Sequence, residues 1–208
     1  MKARKKFNRG VILTVLTLLC VSIYLIGLDI TQNAEKPAIQ KVVESYINTY
    51  VNYSMLPESY RIATPNIPQG ELDSYTANME NDIKNYFSAN DDSYKFITNT
   101  LKNDLQSQTT ETTVVYSYQK TISKYTKFKF DKSTVTVTLE TNSGYDGPDT
   151  NSPNSERLIL NKVTTDTIVL KKISDEWKVV YSNINKPSQG NSLGGGMKVA
   201  VKREIKNG

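Results

Sequence analysis

Residues 10–28, GVILTVLTLLCVSIYLIGL, run for 19 consecutive positions without a charged side chain. As a helix, an apolar stretch of about 18 or more residues crosses a hydrocarbon core of roughly 30 Å. Lys2, Arg4, Lys5, Lys6 and Arg9 precede the stretch, and Asp29, the first acid of the chain, follows it. Cationic flanks are retained on the cytoplasmic side. These five cations therefore orient the chain as a single-pass cell-membrane protein. The pattern predicts a cytoplasmic basic tail over 1–9, a transmembrane helix over 10–28 and an extracellular C-terminal domain. A cleaved signal peptide has an apolar core of roughly 7–15 residues and a small-x-small cleavage site. This core is longer, and Asp29-Ile30-Thr31-Gln32-Asn33-Ala34 offers no Ala-x-Ala. Cys20 follows Leu18-Leu19 in mid-span, which does not suit a lipid acceptor cysteine.

The anchor explains the charge balance. Of 26 Lys+Arg and 21 Asp+Glu, five cations and no acids lie before residue 10, so residues 29–208 carry 21 of each. A formally neutral domain argues against a nucleic-acid footprint. The end of the chain departs from neutrality: Lys186, Lys198, Lys202, Arg203 and Lys206 face only Glu204. This basic tail reads as a solvated end; the alternatives are a contact with an acidic partner, anionic lipid or wall polymer, or an extra strand through Met197, Val199 and Val201.

The chain has no histidine, and its one cysteine is Cys20. The outer domain therefore has no disulfide, thiol nucleophile, Ser-His-Asp triad or imidazole ligand. Acids pair at Asp73/Glu80, Asp91/Asp92 and Asp175/Glu176, where first-turn charges, a helix cap and a turn account for them. No Gly-rich loop joins a strand to a helix, so no phosphate cradle is indicated. No catalytic, cofactor-binding or metal residue is expected, nor a small-molecule substrate, and the chain reads as non-enzymatic.

Periodicity gives the elements. Residues 29–36 read as a polar linker, and Pro37 suits the first position of a helix. Ile39, Val42, Val43, Tyr46, Ile47, Tyr50 and Val51 then form one apolar face, ending before Pro57. Pro57, Pro65, Pro68 and Gly70 mark a loop. Helices follow at about 71–88 and 93–106, the second capped by Asp91 or Asp92. After residue 110 the period falls to 2. Strands are expected over 112–130 with a bend near 121–124, over 134–141, over 157–172 and from 177 to 184. Flexible loops are expected over 142–155 and 185–196. Trp177, Val179 and Tyr181 should share an inward face. Tyr116, Tyr118, Lys120, Lys124, Tyr125, Lys127, Phe128 and Lys129 interleave aromatic and basic residues. That pattern can stack single strands, but lysines guarding an exposed edge strand explain it better here. The result is an α+β domain over 37–184, three helices packed on a curved four-stranded antiparallel sheet, with a flexible basic tail over 185–208.

The order of basic tail, membrane helix, three helices and sheet closes on Asp175-Glu176-Trp177-Lys178-Val179-Val180. A turn followed by Trp-Lys-Val on the final strand resembles the nuclear-transport-factor-two-like cone fold. Joined to such an anchor, it is similar to the VirB-eight-like scaffold subunits of type IV secretion and conjugation channels, in their Gram-positive form. The Asn-Pro-x-Gly loop of Gram-negative members is absent; Asn66-Ile67-Pro68-Gln69-Gly70 is the nearest stretch. The resemblance implies a structural subunit that self-associates and docks other channel membrane proteins between membrane and wall. Self-association is expected on the helix carrying Tyr46, Tyr50 and Tyr53 and on exposed strand faces. Two other readings stay open: a membrane-tethered ligand-binding or wall-associated adaptor domain, and a ketosteroid-isomerase-like enzyme. The latter needs a buried acid and a tyrosine donor in an apolar pocket.

Overall fold

The computed structural model describes residues 9–88, 91–110, 113–148, 157–186 and 199–200. It divides the chain into two compact units, Met1–Gln40 and Lys41–Gly208. The first helix, α1 (Arg9–Asn52), is 44 residues long and contains Pro37. From Ile12 to Ile30 its large apolar side chains are exposed, Leu13 at 69% and Leu18 at 62%. The helix is long and apolar enough to cross a membrane. Residues 29–36 are helical and Pro37 lies inside the helix, where the sequence predicts a linker and a helix start. Gln32, Ala34, Glu35 and Lys36 are good helix formers. Extending an existing helix costs far less than nucleating a new one, so the polar stretch propagates α1 despite the N–H that Pro37 lacks.

In the second unit the end of α1 contributes Val43, Tyr46, Ile47, Tyr50 and Val51, all buried. A short 3-10 turn at Glu58–Tyr60 lies in the proline-rich loop. Helix α2 (Gln69–Lys84) buries Leu72, Thr76, Met79 and Ile83, and α3 (Asp92–Ser107) buries Ile97, Thr98, Leu101 and Leu105. Both stripes keep the three-to-four-residue spacing of a core-facing helix. Asp91 is the cap of α3, its carboxylate accepting the Ser93 N–H at 2.7 Å.

Four antiparallel strands follow: β1 (Ser117–Asp131), β2 (Thr134–Pro148), β3 (Arg157–Ile173) and β4 (Glu176–Asn183), in the spatial order β1-β2-β3-β4. The sheet is open, with β1 and β4 at its edges. A further two-residue strand, β5 (Val199–Ala200), pairs with Leu158 and Ile159 of β3. Tight turns join β1 to β2 and β3 to β4. In the second, Ser174 and Asp175 have φ of 49° and 65°, the left-handed pair that a two-residue hairpin of matching twist requires.

Two register shifts interrupt the β1–β2 ladder, between Ile122 and Lys124 and between Tyr125 and Lys127. They are bulges leaving Ser123 and Thr126 unpaired, and the first falls in the expected bend. Strand β2 continues to Pro148, beyond the predicted end at Thr141. Its inward positions there are Thr141, Ser143 and Tyr145, all buried, so the alternation persists in polar side chains that a hydrophobic pattern does not register. On β4, Trp177 and Val179 are buried while Tyr181 is 52% exposed. Leu170 pairs with Val179 and Val169 with Tyr181, so Val180 is an extra residue that turns Tyr181 outward. The expected common face of these three is thus broken by a bulge.

Helices and sheet are tied by hydrogen bonds as well as packing. Tyr46 and Ser182 share one at 2.7 Å, and the Val179 N–H donates to the Tyr86 carbonyl at 2.7 Å. The Tyr46 ring meets Tyr86 and Phe87 edge-on at 5.5 and 5.8 Å.

Candidate functional site

The inner face of the sheet carries a charge pair that the hydrophobic pattern does not announce. Lys120 of β1 and Asp166 of β3 meet at 2.8 Å with both side chains fully buried. Lys120 Nζ also donates to Thr164 Oγ1 and to the Asn185 carbonyl, each at 2.9 Å, so all three ammonium protons are used. Asp166 accepts from Thr141 Oγ1 and from the Asn185 N–H, each at 2.8 Å. Asn185 further donates from its side-chain amide to the Thr165 carbonyl. Burial pulls Lys120 below the ordinary lysine value, and Asp166 opposes that pull. The network joins three strands and holds the chain where it leaves β4. Lys120 is therefore an internal ion-pair member rather than an edge guard. The flanking Lys124, Lys127 and Lys129 are exposed on the edge strand.

Signals for this pair lay in the phase of the pattern. Lys120 sits two residues from Tyr118, and Asp166 two residues before Ile168 and four before Leu170, all inward-facing. A lone charge in phase with buried apolar neighbours marks an internal pair, but not its partner.

A cleft of about 240 Å³ opens beside this core, between the C-terminal end of α3, the segment before β1 and the end of β2. Gln108, 3% exposed, fixes its wall. Its amide donates to the Ser54 and Asp104 carbonyls at 3.1 Å and accepts the Val115 N–H at 3.2 Å. At the rim Lys186 pairs with Asp104. Tyr118 lines the cleft and is 3% exposed; its hydroxyl oxygen is buried and has no hydrogen-bond partner among the described residues. Burial pushes its phenol well above the ordinary tyrosine value, with Asp166 and Tyr145 adding to the shift. Its ring stands edge-on to Tyr145 at 6.2 Å. Tyr145 donates to the Pro148 carbonyl at 3.2 Å.

The residues expected to self-associate have other positions. Tyr46, Tyr50 and Tyr53 are 0%, 5% and 7% exposed. Tyr46 is bonded to Ser182, and Tyr53 donates to Asp82 at 2.6 Å. Their rings pack inside the domain, and an interface built on them would have to open it; apolar residues in phase on a helix were core, not contact surface. Lys2, Arg4, Lys5 and Lys6 lie outside the described residues, and Arg9 begins α1. The paired acids are local: Asp73 accepts from Gln69, Asp92 pairs with Lys95 and Glu176 with Lys178. Among the described residues no group of three or more His, Cys, Asp or Glu is placed to hold a metal. Asp166, a buried acid in mid-strand, is the position that isomerase chemistry would need. It is saturated by Lys120, Thr141 and Asn185 and does not line the cleft.

Comparison with known proteins identifies no relative: no family model, no curated protein and no solved structure matches this chain. Among the described residues, fold and site define one membrane-length helix and an open-sheet α+β domain.

Proposed function

We propose that this protein is a membrane-anchored assembly subunit of a type IV secretion or conjugation channel, a VirB-eight-like scaffold whose outer domain belongs to the nuclear-transport-factor-two-like cones. The observation that carries the reading is an outer sheet face with exposed apolar side chains over a buried interior. Tyr46, Ile47, Leu139, Ile168 and Leu170 are each no more than 1% exposed there, and the Lys120–Asp166 pair closes the polar part. The outer sheet face carries exposed apolar side chains at Ile159, Val163 and Tyr181, 39%, 54% and 52% exposed. Apolar and tyrosine side chains displayed on one face suit docking against other proteins. Self-association and subunit docking are assigned to this face rather than to Tyr46, Tyr50 and Tyr53.

The test is affinity purification of tagged full-length protein from solubilised native membranes, with mass spectrometry of what accompanies it. A secretion ATPase and polytopic channel proteins are expected. Recovery of the protein alone, or with unrelated wall proteins, overturns the assignment.

A further inference from the structure

We propose that the open edge of β3 is a strand-acceptor site, and that residues 197–201 of the same chain are the strand that fills it. This goes beyond the assembly role and does not depend on it.

The first argument is the edge itself. On one side, β3 is paired with β2 from Arg157 to Lys171. On the other, β4 pairs with it only from Thr167 to Ile173, and β5 meets only Leu158 and Ile159. Over 160–166 that second side has no neighbouring strand among the described residues. The edge sequence Leu158-Ile159-Leu160-Asn161-Lys162-Val163 carries four apolar side chains and one charge. An uncovered strand of that composition is a template for any strand that reaches it.

Register, pattern and length name the occupant. Val199 is paired with Ile159 and Ala200 with Leu158, antiparallel. Continuing that register sets Met197 opposite Asn161, Lys198 opposite Leu160 and Val201 opposite Arg157. Met197, Val199 and Val201 alternate with Lys198, Ala200 and Lys202, the period-two pattern of a half-buried strand. Gly194-Gly195-Gly196 precede them, and glycine is disfavoured in strands, so the strand starts at Met197. Lys198 and Lys202 supply the charge by which natural edge strands resist further pairing. The chain also reaches. Asn185 is bonded to Asp166, seven residues along β3 from Ile159, a distance of about 23 Å at ~3.3 Å per residue. The fourteen residues from Asn185 to Val199 extend to roughly 46 Å. Such a tether holds the segment at a local concentration on the order of millimolar, which favours it over the same segment of a second copy.

Cysteine trapping in the full-length protein, in membranes and on a Cys20→Ala background, tests this. Asn161→Cys and Met197→Cys occupy opposed positions, and opposed antiparallel residues lie about 4.5–5.5 Å apart at Cα, within disulfide range. Oxidation should give a disulfide within one chain, seen as a reducible mobility shift of the monomer. Its yield should exceed severalfold that of Asn161→Cys/Lys198→Cys, a pair one residue out of phase. Amide hydrogen exchange on full-length Val199→Pro/Ala200→Pro is the second measurement, since this variant removes whichever of the two N–H groups faces β3. Amides of Leu158–Asn161 that point away from β2 should exchange about tenfold faster, while those of Ile168–Leu170 keep their protection. A disulfide between two chains assigns the edge to a second copy and overturns the proposal. So does the absence of a disulfide, an equal yield from the shifted pair, or unchanged exchange in the proline variant.

Discussion

Replacing Lys120 by methionine keeps most of the side-chain volume and removes the charge that faces Asp166. At 2.8 Å and an effective dielectric of about 20, the attraction between the two charges is roughly 6 kcal/mol. Desolvating both groups costs several kcal/mol each, so the intact pair is close to break-even. Removing one member loses the attraction but keeps the cost of the other. Asp166 would stay buried with only Thr141 and Asn185 donating to it, and the expected destabilisation is about 3–5 kcal/mol. For a chain of this size that lowers the melting temperature by roughly 6 to 20 °C. Trp177, the one tryptophan and 8% exposed, reports unfolding of β4 by fluorescence. The cycle is completed by Asp166→Leu and the double variant Lys120→Met/Asp166→Leu. The double variant should be more stable than the sum of the single losses by about 2 kcal/mol or more, though Asn185 and Thr141 still lose an acceptor. A loss under about 1 kcal/mol for Lys120→Met, or additive single effects, would refute the pairing as a buried ionic contact.

Three further predictions follow from other parts of the molecule. A Cβ on Gly147 would lie 2.7 Å from Tyr145 Oη, so Gly147→Ala must displace the phenol from the Pro148 carbonyl and should cost about 1–2 kcal/mol in urea unfolding. Burial raises the phenols of Tyr46, Tyr50 and Tyr118 above their ordinary value of 10.0. The unfolded chain therefore loses these protons first, and their stabilisation is complete below pH 10 and falls as pH rises beyond it, by up to roughly 4 kcal/mol per pH unit for the three together. Phenolate absorbance should show a late, unfolding-linked step that is lost in denaturant. Leu16→Arg puts a cation in the middle of the apolar stretch at about 3 kcal/mol on the insertion scale; the protein should shift from the carbonate-resistant membrane pellet toward the soluble fraction, and unchanged pelleting would remove the membrane assignment.

What could be read from the chain depended on how strongly each element is written in apolar residues. Helices α2 and α3 and strand β3 are legible because Leu72, Met79 and Ile83, or Ile168 and Leu170, repeat in phase. The second half of β2 is not, since Thr141, Ser143 and Gly144 look like turn residues until Thr164 and Asn161 of β3 are set beside them. The linker over 29–36 and the helix start at Pro37 that the sequence predicts do not form, because a proline is a local signal, whereas helix continuation is cooperative. The candidate cleft had no sequence signature. It arises where Asp104, Tyr118 and Lys186, separated by 14 and 68 residues along the chain, are brought together by the pairing of β1 with β2 and by Asn185 at the exit from β4. Tyrosines on the helix face were visible as a group, but periodicity alone does not distinguish a buried stripe from a contact stripe.

The bulges of β1 make its length negotiable. Inward positions before the first shift are Tyr118, Lys120 and Ile122; after the second they are Phe128 and Phe130, opposite Val137 and Val135. Each unpaired residue replaces its missing ladder bond with a hydroxyl, Ser123 Oγ to the Glu140 carbonyl at 3.1 Å and Thr126 Oγ1 to the Thr138 carbonyl at 2.9 Å. Deleting either one restores regular pairing and leaves the same side chains pointing inward. A codon lost at 123 or 126 is thus absorbed at the rim of the sheet, whereas a codon lost in β2 or β3 would invert one face of the core. Among the strands, β1 is where related chains can differ in length and still share this interior.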